Sequence, residues 1–274
     1  MPYVIRHTTD GREIKILVPQ NIGQARIAST IAQSGDVPVD DRLMDLYARL
    51  WPKIGALLKT NAGFSAPLLC RETGAYRDAQ VRLIVVGQQT RSWLQKGPWR
   101  EDLFSSKGNA LNAIQTLMRE YADFLVMDRE KGRGFFRAAR QIQRAIDPGS
   151  GDNIAFLWRN LFICDQNGRE PAEEYHEKLR ELSPLATELK ILRPHVVVFM
   201  TGQRFDYTLK AALGQDAIAP CSPKIDARHL AWVAIPGSSA IGLRIPHPRN
   251  PRQAIWVKEA IKLIQRELPA GFDR

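Results

Sequence analysis

Four groups of residues carry side chains suited to chemistry on a polar ligand. Gly87-Gln88-Gln89-Thr90 ends an apolar run with a glycine, two amides and a hydroxyl. Asn160 ends the stretch IAFLWRN at 154–160. His247 stands between Pro246 and Pro248, and Arg249, Asn250 and Arg252 follow it. An amide donates and accepts hydrogen bonds together, which suits the edge of a pyrimidine. A histidine beside a carbonyl can stabilise an anion that develops there. Arginines can meet phosphate. Each group also has a plainer role. The Gly-Gln-Gln-Thr segment is an ordinary strand-to-loop turn, Asn160 a cap or turn residue, and His247 part of a rigid surface loop, because proline restricts its neighbours.

Such side chains act together only if the chain brings them together. YVIRHT and EIKILV flank Asp10-Gly11, which predicts a hairpin. Helical spacing runs over 22–34 and 40–59, with Leu43, Leu46, Tyr47, Leu50, Ile54 and Leu57 on one face. Residues 1–75 are read as an N-terminal extension, a hairpin and helices packed on a main α/β domain at 76–274. In that domain RLIVVG at 82–87 reads as a buried strand. Helices are predicted over 109–127 and 134–146. IAFLWRNLFICD at 154–165 holds a strand or a helix-to-loop segment. A single helix is predicted over 171–191, with Pro171 in its first turn. Strands follow at 195–202 and 230–237, and a closing helix begins at 254. Alternating strands and helices imply an α/β fold, a three-layer α/β/α arrangement around a mostly parallel sheet. Ligands bind at the carboxyl ends of such strands. Three polar turns, Gly87–Thr90, Thr201-Gly202-Gln203 and Pro236-Gly237-Ser238, are expected to converge there.

The ordered segments VVGQQTRSW at 85–93, LWRNLFICD at 157–165, HVVVFMTGQ at 195–203 and RIPHPRNPRQ at 244–253 resemble the uracil-DNA glycosylase superfamily. The resemblance spans residues 80–266. It implies a DNA glycosylase that hydrolyses the N-glycosidic bond of uracil or another modified base flipped out of DNA. The alternative within the same fold is a catalytically silent nucleic-acid-binding protein. Under the resemblance, Gly87 and Gln88 line the base pocket and Asn160 reads the base edge. Gln89 occupies the water-activating position. It can orient water but cannot take its proton. Asp165 or Asp102 could supply a carboxylate from elsewhere. Phe104 is the stacking aromatic, with Trp93 and Trp99 as alternatives. His247 stabilises the leaving base, although matching PRNP at 248–251 to the single-strand-selective branch puts the family's histidine on Ile245. Arg249, Asn250 and Arg252 form the DNA-contacting loop. No metal or cofactor is implied.

Composition agrees with a polyanionic partner. The formal charge is +10, and the arginine-rich stretch at 134–144 offers either a solvated helix face or a phosphate-tracking one. The three cysteines are far apart and form no CxxC pair, so isolated thiols are expected. His176, His195 and His229 are read as structural or surface residues, and Trp158 and Trp256 as core. A nucleotide- or anion-binding doubly wound domain is a third reading, but GxGxxG and Walker motifs are missing. No apolar run approaches the ~20 residues of a membrane span, and the first residues lack a signal-peptide core. A cytoplasmic monomer with no membrane partner is expected.

Overall fold

The computed structural model describes residues 3–7, 13–17, 37–94, 110–127, 134–223, 225–249 and 254–269. The helix predicted over 22–34 and the residues Trp99, Asp102, Phe104, Asn250 and Arg252 lie outside the described residues. The chain opens on β1 (Tyr3–His7) and β2 (Glu13–Leu17), an antiparallel pair in which Tyr3 faces Leu17 and His7 faces Glu13.

The main sheet has six strands in the order β4-β3-β5-β8-β7-β6. They are β3 (Leu83–Gly87), β4 (Phe156–Asn160), β5 (Val196–Phe199), β6 (Ile218–Pro220), β7 (Ala231–Val233) and β8 (Ile241–Arg244). β4, β3, β5 and β8 run parallel; at one edge β7 pairs antiparallel with β8, and β6 pairs antiparallel with β7. Every residue of β3, β4, β5 and β8 is buried. Burial on both sides explains why β3 and β5 read as unbroken apolar runs rather than alternating ones. The 154–165 segment resolves into a strand, β4, followed by a loop.

Two departures from the sequence reading matter. First, β8 is central, yet its sequence IGLR carries a glycine and a buried arginine. Gly242 is needed because a Cβ there would collide with the Val233 carbonyl. Arg244 is neutralised by Asp206, Nε to Oδ1 at 3.0 Å. Second, the predicted helix at 171–191 is broken. A 3-10 turn at Glu173–Tyr175 leads into α5 (His176–Glu181), and α6 (Leu185–Leu192) starts afresh after Pro184. Proline lacks the N–H that a continuous helix would use, and it pushes Ser183 away from helical angles. Pro171 precedes the helix, and its carbonyl accepts from His176 Nε2 at 2.8 Å.

The remaining helices are α1 (Val39–Thr60), α2 (Gly74–Asp78), α3 (Ala110–Met127), α4 (Gly134–Ile146), α7 (Asp206–Leu213) and α8 (Ala254–Glu267). Leu43, Tyr47, Trp51, Ile54 and Leu58 of α1 join the same buried cluster as the strands. Beneath α1, Arg159 of β4 is fully buried and held by Glu188, Nε to Oε2 at 2.6 Å. Tyr47 donates to the other Glu188 oxygen at 2.6 Å. Burial pushes the Glu188 carboxyl up, and the Arg159 charge opposes this. Cys70 and Cys164 are buried free thiols, and Cys221 is half-buried. Among the described residues no helix is long and apolar enough to cross a membrane.

Candidate functional site

A pocket of about 590 Å³ opens at the carboxyl ends of β3, β4 and β8. Residues just past β3 and β8, the last turn of β4, and the inner faces of α3, α4 and α8 line it. The register of the parallel strands sets its floor, because Gly87 of β3 pairs with Asn160 of β4. The Asn160 side chain folds over that glycine. A Cβ on residue 87 would strike Asn160 Oδ1 and come within 3.2 Å of the Phe135 ring. Glycine at 87 is therefore the condition for the amide to lie where it does.

The amide is also oriented. Trp158, two residues earlier on the same face of β4, donates from Nε1 to Asn160 Oδ1 at 3.1 Å. An indole N–H can only donate, so it fixes the amide oxygen on its own side and turns the NH₂ group the other way. Asn160 Nδ2 is buried and has no partner among the described residues. Gln89 Oε1 and His247 Nδ1 are likewise buried and unpartnered. Three unmet polar atoms in one pocket are costly unless something else satisfies them.

His247 arrives from β8. Ile245 continues the sheet by donating its N–H to Phe199 and accepting from Gly202, and it is fully buried. Its side chain belongs to the core, whereas His247, two residues on, lines the pocket. Burial pushes the His247 pKa down to about 4, helped by the charges of Arg249 and Arg91. The imidazole is neutral at pH 7. Its ring lies 5.9 Å from that of Phe135, tilted by 32°. Phe135 thus spans from Gly87 to His247, and Phe124, Phe136, Trp93 and Trp158 extend the aromatic wall. Arg91, Arg137 and Arg249 are exposed at the rim. None of the described lining residues is acidic.

Two loops hold this floor in place. Gln88 donates from Nε2 to the Thr201 carbonyl at 2.8 Å, which ties the end of β3 to the end of β5. Asp165, fully buried, ties the loop after β4 to the loop after β3. Its Oδ2 accepts from Thr90 Oγ1 at 2.5 Å and Ser92 N at 2.8 Å, and its Oδ1 accepts from Gly168 N at 2.7 Å. Asp165 is therefore committed to the Thr90 hydroxyl and to backbone N–H groups of these loops and is not among the pocket-lining residues, contrary to its reading as a spare catalytic carboxylate.

The structure brings Gly87, Gln88, Gln89, Asn160, His247 and Arg249 to one pocket. The Pro236-Gly237-Ser238 turn does not join them. β7 runs antiparallel to β8, so the turn between them lies at the other end of the sheet, with Gly237 beside Lys190. The end of β8 takes its place. Trp158, read as core, is also the residue that orients Asn160. Phe135 was hidden in a stretch that reads as an arginine-rich helix; its adjacent aromatics, Phe135 and Phe136, were the available signal. Of the other histidines, His229 stacks on Trp256 at 4.7 Å and His195 accepts from Arg82 N at 3.1 Å. Among the described residues no cluster of His, Cys, Asp and Glu is placed to hold a metal ion. The sequence matches no protein-family model and no curated protein.

Proposed function

We propose that the protein is a DNA glycosylase that accepts a flipped uracil or other modified base in this pocket and hydrolyses its N-glycosidic bond. The observation that carries the proposal is the set of unmet polar atoms on Asn160, Gln89 and His247 inside an aromatic-walled pocket with arginines at its mouth. A planar heterocycle with carbonyl and N–H edges, attached to phosphodiester, meets those needs together. Membership of the uracil-DNA glycosylase superfamily, with its three-layer α/β/α arrangement, is part of this reading.

Each residue then has a role. Asn160 presents its NH₂ group to a carbonyl of the base. Phe135 offers a ring face against which the base stacks. As the bond from the sugar C1′ to the base nitrogen breaks, its electron pair leaves with the base and positive charge builds on the sugar. The neutral His247 donates a hydrogen bond toward the base oxygen that gains charge. Gln89 orients the water that adds to C1′. Its amide cannot take the proton, which passes to solvent or to the departing base. Bond breaking ahead of water attack makes a weak water-orienting group sufficient.

The test is mass-spectrometric detection of free base after incubation with DNAs carrying uracil, hydroxymethyluracil or bulkier modified bases. Release by the wild type and its loss in Asn160→Ala is the expected result. A protein that releases no base from any of these DNAs, but still binds them in a salt-sensitive way, is instead a silent nucleic-acid-binding module. Gln89, an amide at a position where some branches of the family carry an acid, is the residue that favours that second reading.

A further inference from the structure

The pocket does not end at its rim. Beside α4 lies a second concavity of about 670 Å³, lined among the described residues by Arg137, Arg140, Gln141, Arg144 and Ala145. Arg137 and Gln141 line the base pocket as well, so the two concavities share a wall. The spacing 137, 140, 141, 144 is that of one helix face. The apolar positions Phe136, Ala139, Ile142 and Ile146 point the other way, into the core. Arg137 and Arg144 lie about 10 Å apart along the axis at 1.5 Å per residue, a row of cations leading away from the pocket.

We propose that this face of α4 is a track for the sugar–phosphate backbone of the nucleic-acid strand whose base enters the pocket, with Arg137, Arg140 and Arg144 meeting successive phosphates. The proposal rests on reading the pocket as a nucleobase site. Charge complementarity and continuity with that site select a phosphodiester strand as the occupant. Arg144 now pairs with Asp152 at 2.8 Å, but the two side chains are 57% and 94% exposed. A pair so exposed contributes little and exchanges readily for a phosphate. Burial and the neighbouring Arg144 charge both lower the Arg140 pKa, and an anion placed between them relieves that repulsion.

The experiment is fluorescence anisotropy with a short labelled single-stranded DNA that contains no modified base, titrated over a range of salt. Loss of two phosphate contacts in the double variant Arg140→Gln/Arg144→Gln should lower the slope of log K against log salt by about 1.4. By the same relation, binding near 0.1 M salt should weaken roughly 20-fold. Arg144→Gln alone, at an exposed position, should give about half the slope change and does not depend on refolding the half-buried Arg140 site. The control is Lys53→Gln/Lys59→Gln on α1, which removes the same charge from exposed positions outside both linings. It should leave the slope unchanged. An unchanged slope in the arginine variants, or an equal loss in the lysine control, overturns the track. Base release is scored separately. A lost slope without base release from any DNA leaves the track standing and removes the glycosylase; base release with an unchanged slope does the reverse.

Discussion

At the scale of single residues, the pocket floor is one pair. Gly87 leaves the space, and Asn160 fills it with an amide that Trp158 turns. Gly87→Ala should therefore act on the pocket through Asn160. The added methyl displaces the amide, costs about 1–3 kcal/mol of stability as an overpacked site, and abolishes base release as fully as Asn160→Ala. Urea unfolding and the free-base assay on the same preparation separate the two effects. Asn160→Ala itself leaves Trp158 Nε1 without an acceptor and should cost about 1–2 kcal/mol. His247 gives a pH prediction. Its folded pKa is about 4, below its ordinary 6.5, so the neutral imidazole persists well into acid. NMR of the ring should show titration near 4. Base release should hold from pH 7 to pH 5 and fall as His247 gains a proton; a loss centred near 6.5 would remove it from the proposed role.

At the scale of elements, Asp165 is the joint between the loops after β3 and β4. Asp165→Ala strands Thr90, Ser92 and Gly168 donors and should cost roughly 2–4 kcal/mol. Thr90→Val, which removes one of those bonds and keeps the shape, should cost about 1 kcal/mol. Denaturant midpoints for the two variants test the ranking. What the sequence revealed at this scale follows from how each element is stabilised. β3 and β5 are legible because both their faces are buried. α1, α3, α4 and α8 are legible because each has one apolar face. β8 was not, because Gly242 and Arg244 break the apolar signal for reasons that lie on β7 and α7: the Val233 carbonyl and the Asp206 carboxylate. The direction of β7 was lost with it. Only seven residues, 234–240, join β7 to β8, too few for a crossover helix, so the pair had to be antiparallel. The site was half legible for the same reason. Gly87 and Asn160 end strands and His247 follows one, and all three stand out by type, whereas Phe135 reaches the pocket only through the packing of α4 on the sheet.

At the scale of the molecule, two half-buried neutral histidines bear on the acid limit. His195 and His247 are each pushed down to about 4 by burial. Between roughly 6.5 and 4 the unfolded chain binds protons that the folded chain refuses, so stability falls as pH falls through that window. Because both rings keep some solvent contact, the loss should be roughly 1–3 kcal/mol for each by pH 4. Asp147, Glu188 and Asp206, whose carboxyls burial pushes up, act in the opposite sense. Their proton uptake in the folded state starts above the ordinary carboxylate range near 4 and offsets part of that loss, so the comparison with a histidine variant isolates the histidine share. Melting temperature should decline from pH 7 to pH 5, and less steeply in a His195→Gln variant.

The register that sets Gly87 against Asn160 also governs how this pocket can change over generations. Position 87 tolerates a side chain only when position 160 stops covering it, and a short residue at 160 gives no advantage while 87 stays bare. The two positions are 73 residues apart in the chain yet form one heritable unit. In a library randomised at both, selection for folding alone should enrich matched pairs, small with large in either order, rather than favoured residues at each position. A lineage that moved to a different ligand would have to cross through such a double exchange.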